Sequence, residues 1–178
     1  PRSINSLNDI NRLVNHNKYK DLDLIVSMGG GYVTDFAKVI SYLMNNEIED
    51  WLRENKNTSI KIDKTTLEKK PQHAAYITLP GSGAEASNTA VLNIQNFKSF
   101  IICKSFMPDH VVYLNDYLIS LDEKSVFYSL LDSFTHGVES LFSPLKTTLS
   151  ESISINTIDI VYNFLQQENI FPYLHNKI

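Results

Sequence analysis

Cysteine is almost absent from this 178-residue chain, where Cys103 stands alone. A single thiol cannot close an internal disulfide, so a disulfide framework is excluded and a reducing compartment is expected. Basic charge is not in excess either: 16 Lys and Arg stand against 20 Asp and Glu, a net charge of −4. A surface for nucleic acid needs clustered cations, so no nucleic-acid partner is expected. No apolar run approaches the ~20 residues of a membrane span, and the N-terminus lacks the basic-then-apolar pattern of a signal peptide. The expectation is a soluble, cytoplasmic protein with no membrane partner. Glycine is scarce, with six in all. Half of these are consecutive, at Gly29, Gly30 and Gly31.

What is present is ordinary for a chain that buries a core. Apolar residues make up 43% and charged residues 20%, enough for one domain or two small ones. The chain opens at Pro1 rather than Met and stops at "YLHNKI" soon after a helical segment. Either end reads as a truncation.

Residues 3 to 20 read as a helix with polar flanks. "LDLIVSM" reads as a buried parallel strand, and from Val33 apolar residues return every three or four positions, which predicts a helix. The polar, Lys-rich residues 53 to 72 predict a solvated loop. "AAYITLP" predicts a second buried strand, followed by the turn "GSGAEAS". "TAVLNIQNFKSFIICK" predicts a hairpin turning near Gln95 and Asn96, and "DHVVYLN" a further strand. From Leu121 the pattern is purely helical, in two amphipathic segments separated by Pro144. An α/β portion over residues 1–118 is therefore expected before an all-α portion over residues 119–178.

The glycines sit where "DLIVSM" meets the helix "YVTDFAKVI". A strand, a glycine turn and a helix N-terminus together make an anion site, because the helix start offers free N–H groups and a partial positive charge. "GGGYVTDFAK" is neither the G-x-G-x-x-G fingerprint nor a phosphate loop ending in Lys-Ser or Lys-Thr. A tight turn with no ligand fits it as well. The second turn, "TLPGSGAEAS", also leaves a buried strand, which would put both turns at the carboxyl edge of one sheet, where open α/β sheets bind ligands. Thr78 and Ser82 add hydroxyl donors. Two such turns favour a nucleotide over close packing alone.

"GGGYVTDFAK" resembles the G-G-G-S-x-x-D-x-A-K motif of iron-containing (group III) alcohol dehydrogenases. "ITLPGSGAEAS" is similar to their P-T-T-A-G-T-G-S-E segment, "MPDHVVYLN" to their L-P-D strand and "LLDSFTHGVES" to G-M-D-A-L-T-H-A-I-E. The four blocks stand in family order with nearly family spacing. The compact stretch from Glu85 to Lys98 looks most like the subgroup that reduces phosphonoacetaldehyde. The resemblance implies the fold shared with dehydroquinate synthase, here incomplete: an α/β dinucleotide-binding domain, then an all-α domain for metal and substrate. It implies NAD or NADP as cofactor, with Gly30, Gly31, Tyr32, Val33 and Thr34 lining the diphosphate. Thr78, Leu79, Pro80, Gly81 and Ser82 would form a second wall, and Lys98 would reach the cofactor. Lys98 read without the family is an exposed hairpin lysine.

Asp132 and His136 lie four apart on a predicted helix, so both project from one face. That spacing suits two ligands of one metal ion and equally an ordinary helix ion pair. The resemblance implies the former, with Fe2+ or Zn2+ as the ion and Glu139 as structural support. Family members complete the metal site with two further histidines well downstream of this motif, and this sequence ends before them, while His16, His73, His110 and His175 read as surface or loop residues. Tyr32, Ala84, Leu114 and Leu130 depart from the family pattern, which has a serine, a serine, an aspartate and a glycine at these places. The implied activity is hydride transfer between nicotinamide and a small alcohol or aldehyde. A half-built helical portion would expose apolar surface that pairing could cover, so a homo-oligomer such as a dimer is expected. The alternative is a truncated, non-catalytic remnant that binds nucleotide or a partner chain.

Overall fold

The computed structural model describes residues 7–14, 22–44, 59–62, 71–94 and 97–166. In chain order these form α1 (Leu7–Val14), β1 (Leu24–Gly30), α2 (Gly31–Leu43), β2 (Ser59–Ile62), β3 (Gln72–Leu79), β4 (Thr89–Ile94), β5 (Phe97–Cys103) and β6 (His110–Tyr113). Three helices follow, α3 (Asn115–Ile119), α4 (Glu123–Phe142) and α5 (Thr148–Leu165). The α/β-then-helical order expected from the pattern is what is found. The chain divides into two compact units, one of Pro1–Ile77 with Ala84–Tyr113 and one of Thr78–Gly83 with Leu114–Ile178.

The first unit holds two three-stranded sheets, ordered β1-β3-β6 and β2-β5-β4. β3 and β6 are parallel, with Ala74 opposite His110 and Ile77 opposite Tyr113. β4 and β5 form the predicted hairpin in antiparallel register, Thr89 opposite Ile102 and Ile94 opposite Phe97; its turn, Gln95 and Asn96, lies outside the described residues. The core forms where α2 lies against the hairpin: Val39, Ile40, Tyr42 and Leu43 from the helix meet Ala90, Leu92, Ile101, Cys103 and Phe106, with Ile10 of α1 added. The helical period of α2 and the twofold period of β4 and β5 each supply one apolar face, and burial of these faces holds the unit together.

Several expectations change in detail. Among the described residues the first helix runs from Leu7 to Val14, and α2 begins at Gly31, two residues before Val33. β1 is a strand as read, but it is not buried on both faces. Leu24, Val26 and Met28 are exposed while Ser27 is buried, because no described element covers the outer face. The segment 53–72 is not all loop: Ser59–Ile62 is strand β2, parallel to β5, and Gln72 already begins β3. A polar composition hid a strand whose backbone finds its partner some forty residues further along.

In the second unit α4 and α5 pack against each other. Each starts at a side-chain cap. Asp122 accepts the Ser125 N–H at 2.9 Å, and Thr147 and Ser150 form a reciprocal capping box before α5, so one of the orphan N–H groups at each helix start finds a side-chain acceptor. α4 ends before Pro144, as read. No described helix is long and apolar enough to cross a membrane.

Candidate cofactor-binding and metal-ligating residues

The glycine run of the first unit allows an abrupt passage from strand to helix. A Cβ on Gly29 would stand 2.7 Å from Val33 Cγ2, so only hydrogen fits between the end of β1 and the first turn of α2. Gly30 is the helix N-cap, with extended backbone, no side-chain cap bond and no acidic residue in the first turn that follows. The helix dipole is thus left without a carboxylate at this end, which favours an anion. Tyr32 is exposed, Gly31 and Val33 are partly buried, and Thr34 is buried. The Thr34 hydroxyl is committed to the Gly30 carbonyl at 3.3 Å.

Behind this turn lies a buried ion pair. Lys38 Nζ, with no exposed side-chain surface, donates to Asp35 Oδ1 at 3.0 Å and to the Thr89 carbonyl at 2.7 Å. Asp35 Oδ2 accepts the Val91 N–H at 2.9 Å. Burial pushes the Asp35 carboxyl up and the Lys38 ammonium down, and the charge of each partner opposes that shift. The available signal is an Asp and a Lys three apart within the mostly apolar helix pattern of "YVTDFAKVI".

Lys98 lies on β5 opposite Asn93 and is exposed. His73, expected on the surface or in a loop, is instead 1% exposed. Its Nε2 shares a hydrogen bond of 2.8 Å with Ser27 Oγ, and its backbone N–H donates to Asp109 Oδ2 at 2.8 Å. Asp109 N–H returns to the His73 carbonyl at 2.9 Å. The aspartate of "MPDH" therefore fastens the start of β6 to β3, and His73 is buried in a stretch of β3 whose two faces are both covered, against Ser27 of β1. His110, at the start of β6, is exposed as expected; His16 and His175 lie outside the described residues.

In the second unit the turn after β3 is built around Gly81, at φ +135, a region that disfavours a side chain. A Cβ there would also stand 2.8 Å from the Ser129 carbonyl oxygen. α4 holds this turn with two hydroxyls one helical turn apart: Ser129 Oγ donates to the Pro80 carbonyl and Ser133 Oγ to the Gly81 carbonyl at 3.3 Å. Thr78, Leu79, Pro80 and Gly81 are partly buried and Ser82 is exposed. The neighbouring face of α4 carries Asp132 and His136, about half exposed, with His136 Nε2 at 3.6 Å from Asp132 Oδ1. His136 Nδ1 stands 3.6 Å from Glu139 Oε2. Among the described residues no group of three or more His, Cys, Asp or Glu could hold a metal ion. The pair offers one carboxylate oxygen and one imidazole nitrogen, which fits two of the coordination places of a divalent transition ion.

The five positions Gly30 to Thr34 thus form one strand-to-helix turn, Thr78 to Ser82 the end of β3 and the turn that leaves it, and Asp132 and His136 stand together on one helix. Lys98 stands on the hairpin of the first unit.

The sequence profile described as "Iron-containing alcohol dehydrogenase" matches residues 5–114. Curated relatives include an alcohol dehydrogenase of Thermococcus barophilus, 27% identical over 149 residues that make up 80% of this chain and 38% of that protein. Long-chain-alcohol dehydrogenase 1 of Geobacillus thermodenitrificans (strain NG80-2) is 24% identical, across 82% of this chain and 36% of its own length. Among solved structures, sulfoacetaldehyde reductase from Bifidobacterium kashiwanohense in complex with NAD+ superimposes with a TM-score of 0.77 at 18% identity, covering 96% of this chain and 44% of that one. The chain spans about two fifths of the length of these relatives.

Proposed function

Since the chain belongs to the iron-containing alcohol dehydrogenase family, we propose that it supplies the dinucleotide-binding part, and two metal ligands, of a metal-dependent NAD(P)-linked alcohol dehydrogenase or aldehyde reductase. The observation that carries this reading is the pairing of Asp132 and His136 one turn apart on α4, 3.6 Å from each other and open to solvent. The residues of this chain then have distinct tasks. Gly30 to Thr34 present the N-terminus of α2, whose backbone N–H groups would donate to a cofactor diphosphate. Thr78 to Ser82 would supply further cofactor contacts, and Lys98 would add a positive charge toward the anionic cofactor. Asp132 and His136 would hold Fe2+ or Zn2+, and Glu139, whose Oε2 stands 3.6 Å from His136 Nδ1, would give structural support beside that imidazole. The bound ion would supply Lewis-acid polarisation of a substrate oxygen, and the nicotinamide would supply the hydride chemistry.

The substrate proposed is a small alcohol or aldehyde, in the cytoplasm, and the protein a homo-oligomer. The test is aldehyde-dependent oxidation of NADH and NADPH by the protein at the length its natural source makes, with metal content measured on the same sample. Turnover with one bound divalent ion, lowered at least about 100-fold by Asp132→Ala or His136→Ala, is expected. A protein of that length that holds neither iron nor zinc would overturn it.

A second reading is favoured by the absence of a third ligand among the described residues. In it the chain binds a nucleotide or a partner chain without turnover. Steady aldehyde-dependent oxidation of NADH by this 178-residue chain would eliminate it.

A further inference from the structure

The proposed cofactor contacts of the first unit lie on two separate pieces of backbone. Gly30 to Thr34 belong to the start of α2, whereas Lys98 belongs to β5 of the hairpin. These pieces are far apart in sequence, and a cofactor held by both needs their spacing fixed. The Asp35–Lys38 pair joins them. Both side chains leave the first eight residues of α2 and reach the backbone of β4: Lys38 Nζ donates to Thr89 O at 2.7 Å, and Asp35 Oδ2 takes the N–H of Val91 at 2.9 Å. β4 then sets Lys98 through the register that places it opposite Asn93. An apolar contact would hold α2 against the hairpin, but it would permit sliding; two charge-assisted bonds to alternate residues of one strand fix the register along it.

We propose that Lys38 and Asp35 are positioning residues for the dinucleotide, setting the start of α2 and the Lys98 hairpin at the separation that one cofactor bridges. This rests on the cofactor reading above. The pair itself does not touch the cofactor: Lys38 is 1% and Asp35 8% exposed. A pair kept only for stability has a simpler substitute, because well-packed neutral groups of similar size commonly match or exceed a buried ion pair in stability.

That contrast gives the experiment. NADH and NADPH binding would be titrated by fluorescence, in the protein at its natural length, for the unsubstituted chain, Asp35→Asn/Lys38→Met, Lys98→Ala and the triple combination, with a thermal melt for each. The double replacement removes both charges and keeps an acceptor for Val91 N–H. Its expected result is a melting temperature close to that of the unsubstituted protein, with dinucleotide affinity lowered by about tenfold. The loss on Lys98→Ala is expected to shrink in the doubly replaced background, because a misplaced hairpin no longer delivers that lysine. Asp35→Asn/Lys38→Gln, which also leaves no charge buried alone and keeps an amide donor on the side of the Thr89 carbonyl, is the second variant and is expected to weaken binding in the same direction if the first double replacement does not fold. Unchanged affinity in a folded variant, or a Lys98→Ala loss that is the same in both backgrounds, would overturn the positioning role and leave the pair structural. Failure of the unsubstituted protein to bind either nucleotide would overturn the cofactor reading itself, and this inference with it.

Discussion

Lys38 and Asp35 keep opposite charges out of water, and their titration has a sign that can be followed. Burial raises the Asp35 carboxyl from its ordinary 3.8 and lowers the Lys38 ammonium from its ordinary 10.5. Between 3.8 and its raised folded value, Asp35 in the folded state still holds a proton that the unfolded chain has released, so stability falls as pH rises through that window. Between its lowered folded value and 10.5, Lys38 is protonated only in the unfolded chain, so stability rises with pH there. Urea denaturation of Asp35→Asn/Lys38→Met at a series of pH values is expected to show both slopes flattened. At Gly81 the backbone alone decides. Its φ of +135 and the 2.8 Å approach of a Cβ to the Ser129 carbonyl make Gly81→Ala destabilising by about 1–3 kcal/mol. Chemical denaturation checks this, with Gly83→Ala as comparison: Gly83 also has positive φ, at +65, but open space where its Cβ would go. Gly83→Ala is therefore expected to cost less.

The helices of the second unit begin where their caps are, and each cap makes a prediction for its element. Asp122 takes hydrogen bonds from the Ser125 backbone at 2.9 Å and the Ser125 hydroxyl at 2.6 Å. These bonds favour the ionised carboxylate and hold its pKa below the ordinary 3.8. Stability from this cap is therefore present above pH 3.8 and lost as pH falls through the depressed folded value. Asp122→Asn keeps a capping oxygen without the charge. It should leave stability near neutral pH little changed and remove this acid-side loss, read by circular dichroism melts at acid and neutral pH. For α5, Thr147→Ala breaks both halves of the box with Ser150 and is expected to cost about 0.5–2 kcal/mol by denaturant titration.

Across the whole molecule, large apolar side chains meet water in both units. Leu24, Val26 and Met28 line the outer face of β1, and Phe142, Leu145, Leu149, Ile153 and Ile160 stand on or between α4 and α5, Phe142 and Leu145 more than 80% exposed. Faces of this kind mark places where further protein packs. The proposed homo-oligomer would cover part of them. Sedimentation or light scattering of the purified protein is expected to give a mass above that of one chain, falling toward it when Leu149 and Ile153 are replaced by Lys. A monomer before replacement would contradict the proposal.

Much of this protein was legible before any coordinate, and for a physical reason: short-range periodicity and turn chemistry act within a few residues. The strand, glycine turn and helix at Gly29 to Ile40, the β4–β5 hairpin, the break before Pro144 and the placing of Asp132 and His136 on one helix face are all of that kind. The family was legible too, because four short motifs kept their order. What local pattern could not reveal were partnerships across the chain. Asp35 meets Val91 at 56 residues' remove and Ser27 meets His73 at 46. The polar segment holding β2 becomes strand only because β5 lies beside it. The exposed face of β1 was equally invisible, since an apolar residue reads the same whether or not something covers it. Burial and long-range pairing depend on what the rest of the chain brings alongside, and only the tertiary structure decides that.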